Sequence, residues 1–153
     1  MAKHIGVKLP EDLIALLKKE RTLAILATFS EKGIPNTTPV QCLYPKGQES
    51  ILLTIHKEHL GYQNMVWQKK VMLSFLSEGN VAYSLLGRAG VVRAPSMVHP
   101  LMNVVRIDII DIKSDQSVLT RIERGVEWNY TSAEAEELVV SLYKELRELS
   151  RTL

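Results

Sequence analysis

The 153-residue sequence contains a single cysteine, Cys42, so no internal disulfide can form. Its place in an apolar alternation predicts a small buried side chain and not a reactive thiol. No uninterrupted apolar run approaches the length of a membrane span, and the N-terminal residues lack the apolar core of a secretory signal. We therefore expect a cytoplasmic protein with no membrane partner.

A strong charge of one sign is also missing. The formal net charge is +2, from 19 lysines and arginines against 17 aspartates and glutamates. Aromatic residues make up 6% and do not alternate with the basic ones, as the stacking of nucleic-acid bases requires. We do not expect nucleic acid as a partner, although a small barrel that binds it stays open as the weakest alternative.

Motifs of common enzyme sites are absent as well. The segment Gly87–Gly90 lacks the glycines and the context of a dinucleotide or phosphate loop. His56 and His59 have no well-placed third ligand, so the sequence predicts no metal site. No serine, cysteine and histidine spacing suggests a nucleophile.

The patterns that are present predict one mainly β domain over residues 1–153, with flanking helices. Six segments have the β-branched and apolar character of strands, and together they suggest a six-stranded antiparallel barrel: Thr22–Phe29, Asn36–Tyr44, Ser50–Ile55, Val71–Leu76, Val81–Arg93 and Leu101–Lys113. Turn residues around Gly33 join the first two strands into a hairpin. Gly87 and Gly90 are expected to mark bulges or bends.

Three helices are predicted around these strands. The first begins at Pro10 and ends near Arg21, and the second lies between Lys57 and Trp67. The third has a capping box from Thr131 to Glu134, followed by an apolar stripe over 135–149. Residues 114–129 fit either a helix or two short extended pieces.

The stretch Ser50–Leu76 is the first candidate for a binding site. Here an apolar strand runs into His56, Lys57 and His59 at the start of the second helix. Backbone N–H groups are unpaired at a helix N-terminus, so cations and imidazoles there can hold an anion such as phosphate. In the same helix, Asn64 is expected to brace the junction and Trp67 to lie in the core.

The order of these segments resembles the pyridoxamine 5′-phosphate oxidase-like, FMN-binding split-barrel superfamily. The resemblance lies in TLAILATF, EKGIPNTTPVQ, ILLTIHKEH, the helix with Asn64, KKVMLSFL and LLGRAGVVR. It implies a six-stranded Greek-key split barrel that forms a homodimer with flavin sites at the interface. Members bind FMN, and relatives bind the deazaflavin F420 or haem.

The resemblance also implies which residues form the site. Thr38, Pro39, Val40 and Gln41 would run beside the flavin ring. The ring edge and the phosphate would be met by Thr54, Ile55, His56 and Lys57. Beside these, His59 is a candidate to bind the phosphate, and Trp128 is a candidate to contact the flavin edge from the other subunit. Many members carry a cation three positions before the helix asparagine, where this sequence has Gly61.

The function implied is that of an FMN-dependent oxidoreductase acting on a small-molecule redox substrate that the sequence does not identify. With glycine at position 61, either Lys57 or His59 replaces the missing cation, or the site takes a different ligand. A flavin or haem carrier or sensor without turnover is the alternative on the same fold.

Overall fold

The computed structural model describes residues 3–152, which form an eight-stranded antiparallel sheet and three helices. The helices are α1 (Glu11–Lys18), α2 (Leu60–Trp67) and α3 (Ala133–Ser150). The strands are β1 (Lys3–Gly6), β2 (Ala24–Phe29), β3 (Pro35–Val40), β4 (Leu43–Lys46), β5 (Ser50–His56), β6 (Lys70–Ser77), β7 (Val81–Arg93) and β8 (Met102–Ser114).

The strands follow the order β3-β2-β6-β7-β8-β5-β4, and β1 adds to the end of β8. The predicted hairpin is present, since β2 pairs with β3 across a turn in which Gly33 has φ of 74°. The long strands β7 and β8 shift register between Leu86 and Gly87. A Cβ on Gly87 would lie 2.4 Å from Ile107 Cγ2, so only glycine lets the two strands approach there.

The predicted count of six strands was wrong. The extended run Asn36–Tyr44 is broken after Val40, because Cys42 adopts φ of 55° and turns the chain from the edge of β2 toward β5. The break creates β4, and the short strand β1 pairs with the last residues of β8. Hydrophobic alternation carries no sign of a single left-handed residue, so the pattern merged two strands into one.

Two apolar clusters hold the fold together. The larger fills the concave side of the sheet, where Leu13 and Leu17 of α1 are fully buried against the strands. The smaller lies between α3 and the outer side of β4, β5 and β8 and contains Cys42, Leu52, Val104, Leu142, Tyr143 and Leu146. The burial predicted for Cys42 is confirmed, with 5% of the residue exposed.

Helix α2 turns a different face inward from the one predicted. Gly61, Asn64 and Met65 are buried, whereas Trp67 is 57% exposed, so its placement in the core was wrong. Trp67 is the last residue of a two-turn helix, and the chain leaves toward β6 before the sheet can cover its indole. The bracing role of Asn64 is confirmed, because its Nδ2 donates to Thr28 Oγ1 at 3.1 Å across to β2.

Residues 115–132 contain neither helix nor strand. Side-chain bonds fix this segment instead: Asn80 Oδ1 accepts from the Ile122 N–H at 3.1 Å. Helix α3 then starts one residue later than predicted, since Ser132 and not Thr131 accepts a hydrogen bond from the Ala135 N–H. Over residues 3–152 no helix is long and apolar enough to span a membrane.

Candidate functional site

A cleft of about 310 Å³ opens where β3 ends, β5 ends and α3 crosses the sheet. Its lining is mainly apolar, with a few polar side chains: Leu23, Pro39, Val40, Gln41, Cys42, Thr54, Ile55, His56, His59, Met102, Leu138, Val139 and Leu142. A concave apolar surface with a small number of polar groups is the usual form of a small-molecule site.

The turn at Gln41 and Cys42 builds one wall of this cleft. Because Cys42 takes a positive φ, the chain changes strand partners here and leaves Pro39 to Gln41 along the opening. The second wall is the end of β5, where Thr54 to His56 pair with the start of β8. Leu138, Val139 and Leu142 of α3 form the third wall.

Polar groups on three side chains in the cleft have no hydrogen-bond partner within residues 3–152. Thr54 is 6% exposed, and its Oγ1 is buried without a partner. The Gln41 amide makes no side-chain bond, and His56 uses only Nδ1. Buried polar groups are nearly always paired, so an unpaired hydroxyl in a cleft wall suggests a partner supplied by a ligand.

The two histidines have defined tautomers. His56 Nδ1 accepts from the Glu58 N–H, and His59 Nδ1 accepts from the Gly61 N–H, each at 3.1 Å. A neutral imidazole that accepts at Nδ1 carries its proton on Nε2. His59 donates that proton to Thr38 Oγ1 at 3.0 Å, which leaves the Nε2–H of His56 as the donor without a partner.

These tautomers do not suit metal binding, because a ligating Nε2 must be free of its proton. The described residues also contain no group of three or more histidine, cysteine, aspartate or glutamate side chains placed to hold a metal ion. The imidazoles are instead hydrogen-bond donors toward oxygen.

The space beside Gly61 is filled. A Cβ at this position would lie 3.2 Å from Leu26 Cδ2 and 3.3 Å from both His59 Nδ1 and Thr38 Cγ2. A lysine or arginine here would require these three side chains to shift by a few tenths of an ångström. The cation next to the cleft is Lys57, which is exposed and directly follows His56. Its ammonium makes no ion pair within residues 3–152.

No activated nucleophile lies in the cleft. Burial, with a smaller contribution from Glu20, raises the pKa of the Cys42 thiol from 9.0 to about 12. Burial likewise raises the pKa of the neighbouring Tyr143 phenol. Both groups are therefore neutral at physiological pH, and they act as packing residues between α3 and the sheet.

The structure brings together most of the residues predicted for the site. Pro39, Val40, Gln41, Thr54, Ile55, His56 and His59 line the cleft, and Thr38 adjoins it through its bond to His59. Lys57 stands beside the cleft without lining it. Trp128 lies elsewhere in the chain, packed on Arg21, and its predicted contact with a partner's flavin stays a prediction.

The wall formed by α3 was not predicted from the sequence. Its apolar stripe was recognised, but a stripe does not reveal which surface it covers. Leu23 and Met102 were missed too, because each lies at a strand boundary, where hydrophobic alternation does not predict the face toward which a side chain points.

Fold and site together define a mainly β protein with a lateral apolar cleft. The family model for pyridoxamine 5′-phosphate oxidase matches residues 10–124, and the chain belongs to that family. The expected split-barrel fold is thereby confirmed. Comparison with curated proteins gives no match.

Solved structures share the fold at low sequence identity. A pyridoxamine 5′-phosphate oxidase-like protein from Lactobacillus delbrueckii is 22% identical, with 72% of this chain and 98% of that chain covered and a TM-score of 0.62. An FMN-binding protein from Syntrophomonas wolfei is 14% identical, with coverage of 64% and 80% and a TM-score of 0.54. HutZ, the haem storage protein of Vibrio cholerae, is 15% identical, with coverage of 66% and 90% and a TM-score of 0.51.

Proposed function

We propose that the cleft binds a flavin, with FMN as the preferred form, and that the protein is a flavin-dependent oxidoreductase. The observation that carries this proposal is the pairing of an apolar cleft with unpartnered polar groups on Gln41, Thr54 and His56. Membership of the pyridoxamine 5′-phosphate oxidase family and the FMN-binding neighbour support the same ligand.

The chemistry of the isoalloxazine ring matches this lining. One edge of the ring carries two carbonyl oxygens and an N–H, and the rest of the ring is apolar. The Gln41 amide can donate to a carbonyl and accept from the N–H, while the Thr54 hydroxyl and the His56 Nε2–H supply further donors. Pro39, Val40, Val139 and Leu142 would meet the apolar faces.

The phosphate of FMN would be held by Lys57. Lys57 directly follows His56, and its ammonium is unpaired in the described part of the chain. The end of β5 would therefore contact both the ring edge and the phosphate. His59 has a positioning role, because both its nitrogens bind within the protein and fix the start of α2 against Thr38.

When bound, the flavin supplies the redox chemistry by accepting and donating electrons. The protein's part is to orient the ring, to hold the phosphate and to exclude water with the α3 wall. Among the lining residues no aspartate, glutamate, lysine or arginine is present. Apart from His56 and His59, the lining therefore offers few acid–base groups, and this favours a second candidate, a flavin carrier or sensor without turnover.

Haem is the less favoured cofactor, although one structural neighbour is a haem storage protein. Iron would need a deprotonated Nε2, whereas both cleft histidines accept a backbone N–H at Nδ1 and so hold their proton on Nε2. The deazaflavin F420 has the same carbonyl and N–H edge as a flavin, so it remains the closest chemical alternative to FMN.

A homodimer is also part of the proposal. Ile25, Phe29, Met72 and Leu76 are 36–60% exposed on the outer side of β2 and β6. The register places Met72 opposite Ala27 and Leu86, so these side chains belong to one continuous apolar face. A symmetric contact with a second copy would cover this face on both chains.

Reduction separates the enzyme from the carrier. The protein loaded with FMN is mixed with NADH or NADPH in the absence of oxygen, and the flavin absorbance is followed. Bleaching faster than that of free FMN supports an oxidoreductase. Flavin that stays bound and is not reduced by either nicotinamide supports the carrier.

A further inference from the structure

A second cavity, which shares no lining residue with the cleft, has the character of an anion site. It measures about 500 Å³ and lies between the end of α1, the end of β6 and residues 124–128. The side chains around it include three cations, two carboxylates and an indole: Leu16, Lys19, Arg21, Ser77, Glu78, Arg124, Val126, Glu127 and Trp128.

The segment that roofs this cavity is fixed at both ends, although it has no helix or strand. On one side the Asn80 side chain and backbone both bond to Ile122, and Gly125 lies so close to Ser77 that a Cβ would be 3.1 Å from its Cα. On the other side Trp128 Nε1 donates to the Arg21 carbonyl at 3.1 Å. The cavity is therefore built by specific contacts.

Arg21 is oriented within this cavity. Its Nη2 donates to the Trp128 carbonyl at 2.7 Å, and its guanidinium carbon stands 4.3 Å from the centre of the Trp128 ring. The stacking fixes the plane of the guanidinium and leaves its other N–H groups without a partner within residues 3–152. A fixed planar fork is well suited to the oxygens of a phosphate.

The three cations are not neutralised by the carboxylates beside them. Neither Lys19, Arg21 nor Arg124 forms an ion pair in the part of the chain that the structure describes. The three cations and two carboxylates leave the lining with one net positive charge, which a bound anion would balance.

We propose that this cavity binds a phosphate ester that also carries hydroxyl groups, such as a sugar phosphate. The cations would hold the phosphate. Glu78 and Glu127 accept hydrogen bonds only, so they require donors on the ligand, and hydroxyl groups supply them. The volume of about 500 Å³ also exceeds the needs of a bare inorganic ion.

Trp128 provides a reporter for this site. The sequence has two tryptophans, and the other, Trp67, is exposed on α2, so Trp67→Phe leaves Trp128 as the single indole. Because Arg21 stacks on this ring, a ligand bound to Arg21 should change the Trp128 emission. Titration of the Trp67→Phe protein with ribose 5-phosphate is expected to give a saturable change that weakens as salt is raised.

Matched variants locate the binding. Arg124→Ala and Lys19→Ala should each weaken the binding of ribose 5-phosphate by roughly fivefold. This loss is smaller than that expected for a buried charged hydrogen bond, because both side chains are exposed. Arg121→Ala and Lys18→Ala, which remove neighbouring cations outside the cavity, should leave affinity unchanged. Inorganic phosphate and ribose alone should each bind more weakly than ribose 5-phosphate.

Several results would overturn the proposal. One is the absence of a saturable change, and another is a change that Arg124→Ala and Lys19→Ala leave intact. Ribose binding as tightly as its phosphate would remove the role of the cations. Loss of binding in Lys57→Ala would place the ligand in the flavin cleft instead.

Discussion

At the scale of single residues, the groups in the cleft that can bind a ligand are those without a hydrogen-bond partner inside the protein. His59 is fully engaged between Gly61 and Thr38, whereas His56 keeps its Nε2–H. This difference separates a residue that positions the site from one that can touch a ligand. It also explains why two histidines in an apolar cleft need not indicate a metal.

Lys57→Ala tests the phosphate anchor. If its ammonium holds the phosphate, FMN should bind about tenfold more weakly while riboflavin is unaffected, since only FMN carries the charged group. Affinities are measured by flavin fluorescence, with Lys32→Ala in the β2–β3 turn as the exposed-lysine control. Equal losses for FMN and riboflavin would place the phosphate elsewhere.

Cys42 gives a test that depends on pH. Its pKa is raised from 9.0 to about 12, so in this interval the folded protein keeps a proton that the unfolded chain has lost. The free energy of unfolding therefore falls as pH rises through this window. Between pH 9 and pH 10 the free energy of unfolding of the wild type should fall by about 1 kcal/mol more than that of Cys42→Ser, as measured by urea unfolding.

Tyr83 and Tyr143 have raised pKa values too, and they are present in both proteins. In the folded state both phenols keep their proton between pH 9 and pH 10, so they add little to the difference between the two proteins. Identical slopes for the wild type and Cys42→Ser would show that the thiol is not protected by the fold.

At the scale of elements, α3 lies outside the part of the chain that the family model matches. The family match ends at residue 124, whereas α3 begins at Ala133 and forms one wall of the cleft. The same helix supplies Glu145, whose buried carboxylate accepts from Arg93, Ser96 and the Met97 N–H. Helix α3 thus fixes the loop before β8 as well as the cleft.

Val139→Ala examines this wall. Val139 lines the cleft, while Val140 is 52% exposed on the other side of the same helix and serves as the matched control. Because the substitution removes methyl groups that contact the ring, it should weaken the binding of FMN and of riboflavin alike, by roughly fivefold. Val140→Ala should change neither affinity, as measured by the same fluorescence titration. Similar effects from the two valines would mean that α3 does not touch the ligand.

The sequence predicted elements better than the contacts between them. Regular strands such as Val81–Arg93 were placed correctly because their pattern is long and their ends carry turn residues. The split of Asn36–Tyr44 and the exposure of Trp67 depend on a single backbone angle and on where a short helix stops. Neither leaves a signal in hydrophobic periodicity.

The site was predicted to a similar extent and for the same reason. Residues on consecutive positions of one strand end, such as Thr54 to His56, could be grouped from sequence alone. The contribution of α3 depends on a contact more than eighty positions away, and the hydrogen bond that occupies His59 Nε2 depends on Thr38. Such long-range pairings follow from the fold.

At the scale of the whole molecule, the proposed assembly is a homodimer. The outer faces of β2 and β6 present exposed apolar side chains that a single chain would leave in water.

Ile25→Asp tests this arrangement, since a charge at the centre of an apolar contact should separate the copies. Light scattering should give twice the chain mass of 17.3 kDa for the wild type and a single chain mass for the variant. Val118→Asp places the same charge at a residue that is 93% exposed outside the sheet, and it should remain a dimer. A wild type of single mass at every concentration would contradict the dimer.

Titration of the purified protein with FMN tests the central claim most directly. Occupation of the cleft should quench the flavin fluorescence and shift its absorbance until one FMN is bound per chain. Removal of the polar groups in Gln41→Ala and Thr54→Val should each weaken that binding by about tenfold. A protein whose addition leaves the FMN spectrum unchanged at every concentration would contradict the account.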